Sequence, residues 1–162
     1  MNEKILFAIQ EGKVGGFSIQ FENGTTEPEV KTILKNYNMT LNYTIDYDFD
    51  HIEPKYYIVV DKDKITNARS ELGKVKNWNE TEFVIKKENH YIFMVSEDFV
   101  YNENFQAIIE KNNLQLKKSI WCIINFENNS SNWILDRYAI GIKRKLETNE
   151  KVMTVDTNNI NY

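Results

Sequence analysis

Apolar and polar residues alternate along Phe17-Ser18-Ile19-Gln20-Phe21, as in a strand with one buried face. Asn23-Gly24 then signals a turn. Thr26 is placed to cap a helix, with Pro28 in its first turn and Glu29 three residues on, a capping-box arrangement. Val30, Ile33, Leu34 and Tyr37 follow at helical spacing. Tyr43, Ile45, Tyr47 and Phe49 alternate as a second strand. Tyr56 to Val60 is a third, dense in aromatic and β-branched residues. Ile65, Ala68 and Leu72 mark a second helix, and Glu82-Phe83-Val84-Ile85 a fourth strand, so the order is βαββαβ.

The same order then returns. Tyr91 to Val95 reads as a strand, and Asn102 or Asn104 opens a helix carrying Phe105, Ile108 and Ile109. Leu116 to Phe126 predicts one long strand, Trp133 to Leu135 another, Ile140 to Leu146 a helix, and Val152 to Val155 a closing strand. At a shift of 75 the apolar positions fall into step: Phe17 with Ile92, Val30 with Phe105, Leu34 with Ile109, Ile45 with Ile120 and Ile58 with Trp133. A self-match at constant offset points to a duplicated unit.

The βαββαβ order is that of the ferredoxin-like split βαβ unit. Its right-handed crossovers put both helices on one face of an antiparallel sheet. The expected fold is α+β, an internal duplication of that unit, with a leader over 1–16, a first repeat over 17–88 and a second over 89–162. The hairpin-like run Phe83 to Val95, turning at Glu88-Asn89, leaves open whether the two sheets join or exchange a strand.

Comparing the copies suggests a surface. In the first, Phe17, Ile19, Ile45 and Tyr47 should face the helices, and Ser18, Gln20, Asp46 and Asp48 should face away. The same phase in the second sends Ile92, Met94, Ile120 and Cys122 inward and leaves Phe93, Val95, Trp121 and Ile123 on the far face. Four large apolar side chains span on the order of several hundred Å², which monomers rarely leave in water. These four are the candidate interaction surface, to be covered by the first copy, by a second chain in a homodimer, or by another protein partner.

Composition narrows the partners. A net charge of −4 and a pI near 5.3 argue against a broad phosphate-binding surface, so no nucleic-acid partner is expected. The run Lys143-Arg144-Lys145 reads as the wet face of a helix. No apolar run approaches the ~18 residues of a membrane helix, and Ile5 to Ile9 is short for a signal peptide. Nine Phe, nine Tyr and three Trp supply bulk for a core. Cys122 is the one cysteine, and its counterpart across the repeat is Tyr47, which favours a core thiol over a nucleophile.

Candidate chemistry is sparse. Asp46, Asp48 and Asp50 share a strand face, with His51, Glu53, Asp61 and Asp63 near in sequence. Alternate strand residues stand ~6.6–6.8 Å apart, too wide for three carboxylates to grip one hard cation unless a loop folds over. His51 and His90 have no Cys or His at metal spacing. Phosphate loops, nucleophile elbows and dinucleotide fingerprints are missing. The residues imply no metal, no cofactor and no enzyme; a metal-dependent enzyme using the acidic strand stands as the third reading. Glycosylation sequons at Asn23, Asn38, Asn42, Asn79, Asn128 and Asn129 fit an exported, surface-associated protein and an Asn-rich cytoplasmic one equally.

Three segments carry a resemblance: Phe17 to Val30, Glu110 to Lys118, and Leu146-Glu147-Thr148-Asn149-Glu150-Lys151-Val152. With them the chain, over residues 14 to 156, resembles an uncharacterised protein family of methanogenic archaea of the Methanosarcina type. The resemblance implies an archaeal source and an accessory role, and it brings no catalytic residues. Tyr57-Ile58-Val59-Val60 in a βαββαβ unit, with the closing Leu146 to Val152, is also similar to the propeptide-like inhibitor domains of subtilisin-type proteases. That similarity implies a sheet laid on a protease and an extended chain after Val155 threaded into its cleft. The leading expectation is a non-enzymatic binding or protein-interaction module.

Overall fold

A computed structural model describes residues 12–37, 42–47, 56–79, 84–127 and 132–160. The chain is α+β, with two antiparallel sheets. Its strands are β1 (Lys13–Phe21), β2 (Tyr43–Asp46), β3 (Tyr56–Asp61), β4 (Val84–Lys86), β5 (His90–Val95), β6 (Leu116–Lys118), β7 (Ile120–Phe126), β8 (Ile134–Leu135) and β9 (Val152–Ile160). Its helices are α1 (Glu27–Asn36), α2 (Ile65–Leu72), α3 (Glu97–Val100), α4 (Glu103–Lys111) and α5 (Asp136–Glu147), with one 3-10 turn at Lys62–Lys64.

Strand–helix–strand recurs four times, but the quarters do not combine in sequence order. The chain divides into one unit of Met1–Asp50 with Ile120–Tyr162, and a second of His51–Ser119. The first quarter and the last build the first unit. There β7 and β1 pair at the centre, β2 lies outside β7, β9 lies outside β1, and β8 pairs with Lys13 and Val14. The middle quarters build the second unit, in the order β4-β5-β3-β6.

This corrects the expected division at 88 and 89. That cut falls inside the β4–β5 hairpin, where Val84 pairs with Phe93 and the Lys87 N–H donates to the His90 carbonyl at 2.9 Å. A short antiparallel hairpin has the lowest closure entropy on offer, so it stays within one unit. The expected strand Leu116 to Phe126 is likewise two strands. β6 pairs with β3, β7 pairs with β1 and β2, and the buried Ser119 parts them. The expected leader is also shortened, since Lys13 to Gly16 already belong to β1; residues 1–11 lie outside the described residues. So do Glu82 and Phe83 of the fourth expected strand.

In the first unit, Phe17, Ile19 and Phe21 share a core with Val30, Ile33 and Leu34 of α1, Ala139 and Leu146 of α5, and Cys122, Ile124, Val152 and Val155. Register explains the set: Ile19 stands opposite Cys122 and Val155, and Phe17 opposite Ile124, so their side chains share a face. Gly16 allows the close approach of β7. A Cβ there would lie 1.7 Å from the Ile124 carbonyl oxygen. Gly24, at φ +82°, makes the turn that Asn23-Gly24 signalled.

In the second unit, Ile58 and Val60 of β3 and Phe93 and Val95 of β5 share a core with Ala68, Leu72, Phe105 and Ile109 of its helices. This overturns the expected phase of β5. The repeat paired Phe17 with Ile92, yet the helix-facing counterpart of Phe17 is Phe93, one residue further along. A one-residue slip turns every side chain of a strand over.

Candidate functional site

The four residues of the expected interaction surface are divided between the two units. Phe93 and Val95 are fully buried under the helices of the second unit. Trp121 and Ile123 belong to the first unit, opposite Gln20 and Ser18, on the face turned away from the helices. Trp121 is 4% exposed and Ile123 is half-buried. Of the acidic strand, Asp46 is exposed on β2, while Asp48, Asp50, His51 and Glu53 lie outside the described residues, as do the sequon residues Asn38, Asn128 and Asn129. Asp61 and Asp63 are exposed, and His90, half-buried, pairs in register with Asp61. Among the described residues no three His, Cys, Asp or Glu side chains cluster as a metal would require.

Cys122 is completely buried, and desolvation pushes its thiol up to about 12, with the Glu27 charge adding to the shift. A thiol held protonated is a poor nucleophile. Burial also raises the Tyr47 phenol to about 12, with smaller contributions from Cys122, Glu27 and Tyr43.

What the structure does bring together is the start of α1 and the turn that leads into β9. Thr26 and Glu29 close the capping box that the sequence predicts. The Thr26 hydroxyl accepts from the Glu29 N–H at 3.4 Å, and the Glu29 carboxylate accepts from the Thr26 N–H at 2.7 Å. The other carboxylate oxygen pairs with the Lys151 ammonium. Hydrogen bonding to Lys151, then to the Thr26 backbone and hydroxyl, holds the Glu29 carboxyl down at about 2.

Lys151 is positioned by its own turn. α5 ends at Thr148, whose hydroxyl donates to the Lys145 carbonyl at 2.6 Å, and the Asn149 side chain accepts from the Lys151 N–H at 2.9 Å. The Lys151 carbonyl then accepts from the Glu22 N–H at 2.9 Å, which anchors the entry to β9. These elements border an open groove of about 470 Å³, lined by Pro28, Glu29, Thr32, Ile33, Asn149, Glu150 and Lys151. Pro28 and Ile33 give it an apolar wall, Thr32 and Asn149 a neutral polar one, and Glu150 an exposed carboxylate.

Sequence reasoning found Thr26 and Glu29 as a helix cap and missed Lys151 as their partner. The pair spans 122 residues, and no local period signals it. The segments quoted for the archaeal resemblance, Phe17 to Val30 and Leu146 to Val152, contain five of the seven lining residues: Pro28, Glu29, Asn149, Glu150 and Lys151.

Among the described residues no helix is long and apolar enough to cross a membrane. No solved structure matches the chain. A protein of Methanosarcina mazei is 49% identical over 162 residues, covering 96% of this chain and 88% of its own length. One of Methanosarcina acetivorans is 49% identical with the same coverage. Another from that organism is 46% identical over 155 residues, and this chain spans only 45% of its length. All three carry the name UPF0228 protein. The profile of the Uncharacterised protein family (UPF0228) matches residues 39–161, and the chain belongs to that family.

Proposed function

We propose that this chain is a non-enzymatic binding module that takes a polypeptide segment into the groove beside Glu29 and Lys151. The observation that carries this reading is the groove's chemistry. An apolar wall of Pro28 and Ile33 adjoins the exposed Glu150 carboxylate, while Glu29 is already engaged by Thr26 and Lys151. Such a lining suits an apolar side chain next to a basic one. Pockets of a few hundred Å³ with convergent polar groups are the usual form of a binding site. On this reading the scaffold is a pair of ferredoxin-like units, each combining two strand–helix–strand quarters, and the self-match of the sequence is a trace of duplicated quarters.

The protease-inhibitor reading expects a free extended chain after Val155. Asp156 to Ile160 instead continue as β9, paired with Ser18 to Lys13 of β1, and this favours the binding module.

Random peptides displayed on phage, selected on the wild-type chain and counter-selected on Thr32→Trp, test the proposal. Enriched peptides should carry an apolar residue beside Lys or Arg, lose binding to Thr32→Trp, and bind more weakly to Glu150→Lys. Peptides that bind both variants as well as the wild type would overturn it.

A further inference from the structure

We infer that β9 is a self-association edge, on which a second copy of this chain pairs its own β9 antiparallel about Thr157. This rests on a surface separate from the groove. β9 is nine residues long, and among the described residues β1 is its one strand partner. The other outer strands are short: β2 has four residues, and β4 and β6 have three each. Short edges, and the charges of Asp46, Lys86, Lys117 and Lys118 on them, discourage unwanted pairing. β9 carries no Lys and no Pro, and Asp156 is its single charge.

The register defines the usable stretch. Gln20 pairs with Thr154 but Phe21 with Val152, so β9 bulges at Met153; from Thr154 to Ile160 it carries no extra residue of its own, the second register shift being a bulge of β1 at Gly15, opposite Asn158 and Asn159. Thr157 is the midpoint of that stretch. A twofold contact must be self-complementary, so the residues flanking the axis decide the register. Centring on Thr157 sets Asp156 opposite Asn158 of the second copy, twice over. Asn158 already accepts from the Ser18 hydroxyl at 3.2 Å through its side-chain oxygen, which leaves its amide N–H groups to donate to the opposing carboxylate. Centring on Asp156 would oppose two carboxylates, which is destabilising. Centring on Asn158 would set the Asp156 carboxylate opposite the apolar Ile160. The Thr157 register pairs all of Thr154 to Ile160 and forms roughly six to eight backbone hydrogen bonds between copies.

The test is directed cross-linking of the full chain with Cys122→Ser as background. Opposed residues fall within disulfide reach, whereas Cα atoms more than about 7 Å apart do not bridge without backbone movement. Thr157→Cys should oxidise to a covalent dimer. Asp156→Cys and Asn158→Cys should each cross-link poorly alone and efficiently when mixed. Thr157→Pro removes the N–H at the axis and should abolish any concentration-dependent rise in mass seen by sedimentation, with circular dichroism unchanged. A chain that stays monomeric up to about 1 mM, or a Thr157→Cys variant that cross-links no better than Asp156→Cys alone, overturns the proposal.

Discussion

Lys151 holds Glu29 from 122 residues away, and the same carboxylate closes the cap of α1. One side chain therefore ties the first helix to the turn that launches the last strand. Because Glu29 titrates near 2 in the folded chain and near the usual ~4.3 when unfolded, its contribution has a defined pH window. The stability is fully present above the unfolded value and fades as pH falls toward the folded one. The melting-temperature gap between wild type and Glu29→Gln should be constant near neutrality and close between about pH 5 and pH 2. A gap independent of pH across that range would show that the ion pair contributes nothing.

The core assignments make a second prediction. Leu34 is fully buried and Ile109 is 9% exposed, each under its own sheet. Leu34→Ala should cost ~3–5 kcal/mol and Ile109→Ala ~2–3 kcal/mol in denaturant unfolding. Phe93→Ala should cost ~3–5 kcal/mol, in keeping with its place under the helices of the second unit. A loss below about 1 kcal/mol at Phe93 would restore the opposite phase of β5.

Two glycines should respond with opposite signs. A methyl at Gly16 would collide with the Ile124 carbonyl, whose backbone is fixed by the β1–β7 ladder. Gly16→Ala should therefore destabilise at the upper end of the ~1–3 kcal/mol typical of overpacking, or beyond it. Gly141 lies exposed within α5, with nothing within 4 Å of the added carbon. Gly141→Ala should stabilise by up to ~1 kcal/mol, as intrinsic helix propensity requires. Thermal melts of the two variants check both.

Cys122 should be inert in the folded chain. Its thiol is buried and pushed up to about 12. A water-soluble disulfide reagent should react with it only at the rate of opening, and fully in denaturant. Rapid native labelling would contradict its place in the core.

Much of the local structure was legible. The alternation of Phe17 to Phe21, the Thr26–Glu29 cap, the helical spacing of Val30, Ile33 and Leu34, and the Glu88-Asn89 turn each rest on neighbours in sequence. What was not legible depends on pairing between distant segments. β5 is apolar on both faces, since Ile92 and Met94 are buried along with Phe93 and Val95, so period-two patterning could not say which face meets the helices. Leu116 to Phe126 reads as one strand because only a change of sheet partner, invisible in the residues, divides it at Ser119. The groove was half legible: Glu29 announced a cap, and nothing local announced Lys151.

The central claim is that the first and last quarters of the chain share a sheet, which creates the groove and exposes the β9 edge. Nuclear Overhauser contacts in a uniformly labelled sample test it directly. The account predicts contacts from Ile19 to both Val155 and Cys122, and from the Glu29 side chain to Lys151. Contacts from Phe17 to Phe21 onto Val84 to Lys86 instead would mean that two consecutive copies fold separately, and would contradict it.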